Sequence, residues 1–381
     1  MLLQKNGLHK KNVSIDVVAI LFGDIHDVKW LEQHHMIELG EADMDGLLDD
    51  GAYDDSQRRA IALGLNKKRP LLVIQGPPGT GKTGVLKELV SLAVRQGERV
   101  LVTAPTNAAV DNMVERLSNA GLDIVRVGNP ARISPAVASK SLGEIVNTEL
   151  EAFRKEFERK KADLRKDLRH CLKDDSLAAG IRQLLKQLGK TFKKKEKDTV
   201  KEVLSNAQVV LATNTGAADP SIRRLDSFDL VVIDEAAQAI EPACWIPILQ
   251  GKRCILAGDQ CQLAPVILSR EAMEGGLGKS LLERASTLHG GVLATRLRIQ
   301  YRMHDAIASW ASKEMYDGLL QSSPTVAASL LIDSPFVKVQ CSAFSQYSGF
   351  LTLCLAVFQT FCKQTAPGEV KISKLDLLKC L

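Results

Sequence analysis

Residues 76–83 read GPPGTGKT, the spacing G-x-x-x-x-G-K-[ST], between an apolar run and a helical pattern. The glycines Gly76, Gly79 and Gly81, with Pro77, Pro78 and Thr80 among them, let the chain curl until its N–H groups face one point. The start of a helix adds partial positive charge there. That is a cradle for phosphate. Lys82 would reach the outer two phosphates of a triphosphate, and the Thr83 hydroxyl would bind Mg²⁺. Further along, Val231, Val232 and Ile233 lead into Asp234 and Glu235. Asp234 would hold the Mg²⁺ through water, and Glu235 would polarise an attacking water as general base. A solvated acidic loop is the bland alternative, but it does not explain why both acids follow directly on a buried strand. Residues 258–265, GDQCQLAP, place Gln262 where an amide could hydrogen-bond the terminal phosphate and sense its loss, with Asp259 orienting the polar groups beside it.

These groups converge only if parallel strands bring their carboxyl ends to one edge. Apolar runs at 71–75, 99–104 and 123–127 alternate with helical patterns at 82–95 and 107–118, and further strands are expected at 208–212, 230–233 and 254–257. Such alternation predicts βαβ units, hence an α/β fold whose parallel sheet is covered by helices on both faces. It stops between 136 and 206. There Phe153, Phe157, Leu164, Leu168 and Leu172, then Ile181, Leu184, Leu185 and Leu188, fall at helical spacing. The segment is expected to be a charged helical hairpin inserted into the sheet domain.

A chain of 381 residues holds two or three domains, and its 45% hydrophobic and 25% charged content is that of an ordinary soluble globular protein. The net charge of +5 permits a polyanionic partner without demanding one. Charge is concentrated in 151–202, with 17 Lys/Arg against 10 Asp/Glu. Eight cysteines without a C-x-x-C pair give no zinc framework and suit a reduced intracellular protein with buried thiols. His34 and His35, beside Glu38 and Glu41, fit a solvated polar face better than a metal site. Residues 1–11 are basic and lack the apolar run of a secretory signal. The uncharged stretch 339–362 has its most apolar part at 349–362, only 14 residues. A spanning helix needs about 20, so no membrane anchor is expected. The tail 336–381 holds five of the ten phenylalanines and no βα alternation.

Gln57 in DDSQ, GPPGTGKT (76–83), APTNAAVDN (104–112), ATNTGA (212–217), DEAAQA (234–239), GDQCQLAP (258–265) and QYRMH (300–304) stand in this order. Together they resemble the superfamily-one 5′→3′ helicases of the up-frameshift type, and among them the immunoglobulin-mu-switch-binding branch in its plant-like form. The similarity runs from about residue 51 to about 334. It implies a RecA-like P-loop fold, ATP and Mg²⁺ as cofactors, and single-stranded DNA or RNA as partner. It implies a monomer without membrane attachment, nuclear and/or cytoplasmic. By the same resemblance Gln57 would read the adenine edge and Tyr301 would stack on the base. Arg302 would serve as an arginine finger from a second core, although alone it is a surface arginine at a helix start. Pro105, Thr106 and Asn107, with Thr213, Asn214 and Thr215, would contact phosphates and sugars of the strand without reading bases. Such residues also serve as ordinary helix N-caps. The basic insertion would lie beside the nucleic-acid channel, a solvated hairpin being the alternative for any single lysine.

The resemblance implies two RecA-like cores. The expected organisation is a barrel or stalk remnant at 1–52, a first core at 53–135 and 207–290, the helical insertion at 136–206, the start of a second core at 291–335 and an atypical tail at 336–381. No arginine follows Arg302, so a late arginine motif is missing. The similarity is expected to fade after Val337, and the chain to be a fragment at both ends. A helicase-class ATPase domain crippled by loss of its second core is the leading expectation. The alternative is a non-enzymatic, truncated isoform that binds ATP and nucleic acid. A ring-forming P-loop machine fits GDQCQLAP and QYRM poorly.

Overall fold

The structure is a computed structural model that describes residues 15–22, 51–170, 175–288 and 292–329. Seven strands form one parallel sheet: β1 (Leu71–Gln75), β2 (Val100–Ala104), β3 (Ile124–Arg126), β4 (Val209–Thr213), β5 (Phe228–Ile233), β6 (Gly251–Gly258) and β7 (Ala294–Arg296). Their order across the sheet is β3-β4-β2-β5-β6-β1-β7. A sheet covered on both faces needs apolar residues at successive positions, not alternate ones. LLVIQ, VLVTA and VVLAT meet that demand. Leu71 and Val73 join one hydrophobic layer while Leu72 and Ile74 join the other. The second layer is closed by helices Asp55–Leu65, Lys82–Arg95 and Asn107–Ser118, through Ile61, Leu86, Leu89, Val110 and Met113. The first is closed by helices Ile15–Phe22, Glu241–Ile248 and Leu281–Thr287, through Ile20, Leu21, Ile248, Leu281 and Leu282. This is the expected α/β, RecA-like architecture.

Strand limits lie within a residue of the apolar runs except at β5, which begins two residues early at Phe228, and at β6. β6 begins at Gly251, three residues before the run at 254–257, because Arg253 is buried inside it. The Arg253 guanidinium reaches the buried Glu98 carboxylate and the Gly64 carbonyl. A buried charge is tolerated only when so paired. The domain boundary expected at 290/291 also moves. β7 pairs with β1 in the register Val73↔Ala294, so the first core's sheet extends to Arg296. A separate pair, β8 (Ile299–Gln300) and β9 (Gln321–Ser322), then flanks helix Asp305–Met315.

The insertion is helical, as expected. Helices Glu151–His170 and Asp175–Asn206 follow the shorter Leu142–Glu149. Phe192 lies 5.9 Å from Phe153 and 4.5 Å from Phe157, ring centre to ring centre, which fixes the two long helices as antiparallel. The hairpin's base enters the first hydrophobic layer through Val146, Leu150, Val203 and Leu204. No buried residue occurs along Glu151–His170. The residues His34, His35, Glu38 and Glu41, the segment 339–362 and the tail at 336–381 lie outside the described residues. Among the described residues, no helix is long and apolar enough to cross a membrane.

Candidate nucleotide-binding site

Parallel strands deliver Gln75, Ala104, Thr213, Ile233 and Gly258 to one edge of the sheet. There the Gly76 N–H donates to the Gly258 carbonyl at 2.9 Å, tying the glycine turn to β6. Gly79 and Gly81 hold φ of 78° and 75°, the left-handed region that side chains resist. Space is as tight as the dihedrals. A Cβ at Gly76 would lie 2.7 Å from the Lys82 Cβ, and one at Gly79 would lie 2.6 Å from the Arg302 Cβ. Thr80 is buried and its hydroxyl donates to the Pro77 carbonyl at 2.8 Å, so its side chain braces the turn.

Lys82 opens the helix that follows. Its Nζ donates to Glu235 Oε1 at 2.6 Å and stands 3.3 Å from Asp234 Oδ1. Burial disfavours the Lys82 charge, but the two carboxylates outweigh it and raise the ammonium pKa. Burial pushes the Asp234 carboxyl above the usual carboxylate range, against the pull of Lys82. Glu235 sits at φ 52°, a strained left-handed conformation for a glutamate, and its Oε2 accepts from Gln238 Nε2 at 3.0 Å. These residues fit a magnesium triphosphate: a turn with no room for a Cβ at Gly76 or Gly79, an ammonium at its floor, and the oxygen ligands Thr83 and Asp234 adjacent.

Gln57 and Tyr301 share a recess of about 500 Å³ with Gly81, Gly84 and Asp54. The Gln57 amide donates to the Thr80 carbonyl at 2.9 Å and its oxygen completes a capping box with Asp54. Tyr301 Oη donates to Asp54 Oδ2 at 3.0 Å, and burial together with that bond pushes its pKa up to about 12. The Tyr301 N–H donates to the Gly79 carbonyl at 2.8 Å. QYRMH is therefore seated on the phosphate turn, with Arg302 exposed beside Gly79. Gln262 is exposed and its Nε2 donates to Asp259 Oδ2 at 2.7 Å.

The two loops expected to meet nucleic acid lie side by side, with the Asn214 N–H donating to the Ala104 carbonyl at 2.9 Å. Pro105, Thr106, Asn107, Thr213 and Thr215 are at least partly exposed. Thr106 caps the Asn107–Ser118 helix, and Thr213 Oγ1 accepts from the Gly216 N–H. Two expectations need correction. Asn214 is only 1% exposed, so its side chain does not present itself to a strand. Asn107 commits its oxygen to the buried Arg126, which also bonds Asp111 and the Val127 carbonyl.

Residues 52–270 match a family model described as AAA domain, and residues 277–354 match a second of the same description. DNA-binding protein SMUBP-2 of Rattus norvegicus is 43% identical over 293 residues, covering 74% of this chain and 29% of that protein. DNA polymerase alpha-associated DNA helicase A of Schizosaccharomyces pombe is 36% identical over 286 residues, covering 73% and 41%. ATP-dependent helicase NAM7 of Saccharomyces cerevisiae is 38% identical over 288 residues, covering 74% and 27%. The chain belongs to the up-frameshift-type superfamily-one helicases. It spans less than half of each of these relatives. The second family match reaches residue 354, so the break expected after Val337 falls inside it.

Several residues of this helicase domain's site carry no local signature. Gln75 and Tyr316 donate to Asp259 from separate parts of the chain, and Arg296 in turn holds the Gln75 amide oxygen. Gln238, three residues beyond Glu235, was legible as a polar group beside a strand end. One outcome follows from the raised Asp234 pKa. A carboxyl whose folded pKa exceeds its unfolded value costs stability as pH rises from the ordinary Asp range through the raised value. Asp234→Asn removes that cost. In protein without nucleotide, thermal melts should show the variant gaining on wild type as pH climbs through this window and holding its lead at neutral pH. Equal melting curves across the range would contradict the burial argument.

Proposed function

We propose that this chain is the ATP-hydrolysing core of a helicase acting on single-stranded DNA or RNA, a monomer working in nucleus or cytoplasm. The observation that carries the proposal is the Lys82 ammonium, shared between Asp234 and Glu235 beneath a turn with no room for a Cβ at Gly76 or Gly79. Phosphate oxygens of the substrate compete with Glu235 for that ammonium. As Lys82 turns to them, Glu235 Oε1 loses its ion pair and becomes a base for water, still held at Oε2 by Gln238. Mg²⁺ supplies charge neutralisation of the phosphates, with Thr83 and Asp234 as the residues to hold it. Gln57 and Tyr301 line the recess for the base. Arg302 stands beside Gly79, where negative charge grows on the transferred group. Isothermal calorimetry tests this directly. Wild type should take up Mg-ATP, and Lys82→Ala should bind about 100-fold more weakly, from charge-assisted bonds of roughly 1.5–3 kcal/mol each. No heat of binding in folded wild type sinks the proposal.

For the nucleic acid, loops 105–107 and 213–215 offer short polar groups suited to a sugar-phosphate backbone, and Lys193, Lys194 and Lys195 are exposed on the hairpin. Replacing the three lysines by alanine should flatten the dependence of log affinity on log salt by about 0.7 per lost phosphate contact. Fluorescence anisotropy on a labelled single strand measures the slope. An unchanged slope removes these lysines from the interface.

A further inference from the structure

We propose that Asp259 and Tyr316 form a buried clamp fixing the direction of the Gln262 amide, which makes Tyr316 a positioning residue for hydrolysis. The inference rests on the ATPase proposal. Asp259 follows β6 and is 3% exposed. Its Oδ2 accepts from Gln262 Nε2 and from the Tyr316 hydroxyl, each at 2.7 Å. Its Oδ1 accepts from the Cys261 N–H at 3.1 Å and from Gln75 Nε2 at 3.3 Å. Arg296 stands one step back, donating from Nε to Gln75 Oε1 at 2.8 Å. All four donors that reach the carboxylate are neutral. Hydrogen bonds to an ionised acceptor are about twice as strong as neutral ones, so loss of any one donor burdens the other three.

The chemistry of the acceptor sets the amide. An ionised carboxylate only accepts, so it must face Gln262 Nε2 and never Oε1. Oε1 is left turned away, on a side chain that is itself exposed. An amide oxygen repels a phosphate oxygen but accepts a proton-bearing water. The clamp therefore gives Gln262 two distinct hands, Oε1 for the attacking water and its second N–H for the terminal phosphate. Tyr316 is 1% exposed, and burial plus the bond to Asp259 raise its pKa above the ordinary phenol range, so it remains a donor. It directly follows helix Asp305–Met315, while Tyr301 and Arg302 lie just before that helix's N-cap, His304. One helix of 11 residues thus carries at one end the groups seated on the phosphate turn and at the other the hydroxyl that sets Gln262.

Tyr316→Phe tests the clamp, since it deletes one O–H and keeps the ring in the core. The kcat for ATP should fall about tenfold, the loss of one charge-assisted hydrogen bond, with KM little changed. In a Gln262→Ala background the same substitution should have no further effect. A second readout needs no turnover: the Gln262 side-chain amide in ¹⁵N–¹H spectra, assigned by its disappearance in Gln262→Ala, should move in Tyr316→Phe. Amide signals that stay in place, or losses in rate that simply multiply, overturn the clamp. Wild type that hydrolyses no ATP defeats the ATPase proposal instead, and the amide spectra then decide the clamp alone.

Discussion

Glu235→Gln is expected to cut phosphate release by about 10²–10⁴-fold, the range for loss of a positioned general base. Glutamine keeps the size of the side chain and its left-handed backbone, and Gln238 still has an oxygen to meet. Charge and basicity are what disappear. Mg-ATP affinity should hold or rise, because Lys82 no longer has an ion-pair partner at 2.6 Å competing with the substrate. A coupled phosphate assay beside calorimetry reads both quantities from one preparation. Equal release rates in wild type and variant would instead favour a protein that binds nucleotide without turning it over.

The second large effect is on stability. Arg126 on β3 is wholly buried, with Nε 2.9 Å from Asp111 Oδ1 and Nη2 2.8 Å from Asn107 Oδ1. Asp111 is also buried, and its other oxygen caps the Ser134 N–H at 2.8 Å. Arg126→Met strips the partner from an enclosed carboxylate, and breaking such a pair costs about 3–5 kcal/mol. Guanidinium unfolding should show that loss. Adding Asp111→Asn should recover part of it, because the stranded charge goes too. A loss below about 1 kcal/mol would mean that water reaches Asp111 freely. The same cluster fixes Asn107, so weaker nucleic-acid binding by Arg126→Met would be an indirect effect.

Local chemistry was legible in the sequence wherever adjacent residues perform it. GPPGTGKT is a continuous turn between a strand and a helix, and its dihedrals and close contacts follow from its own glycines. Asp234 and Glu235 were legible because a strand end has one direction. β7 was harder, since Ala294, Thr295 and Arg296 do not look like the edge of a buried sheet and only pairing with β1 makes them one. Arg253 hid the start of β6 because a charge reads as surface until its partner Glu98, far away in the chain, is known. Asn214 misled in the same way. Its polarity suggested a contact with solvent or strand, whereas the side chain is buried. Tyr316 gave no signal at all, lying 57 residues from the carboxylate it serves.

The hairpin between β3 and β4 has one further consequence, for how relatives of this protein can diverge. Only its root is cemented into the sheet domain, through Val146, Leu150, Val203 and Leu204. Its shaft is held by contacts between its own two helices, among them those of Phe153 and Phe157 with Phe192, and no residue of Glu151–His170 is buried. Doubling a connection's length costs only about 0.6 kcal/mol in closure entropy. Whole turns can therefore be gained or shed at the tip without disturbing the sheet edge that carries Lys82, Asp234 and Glu235. Under the proposed function, reach toward a bound strand becomes a dimension that evolution can tune separately from fuel consumption.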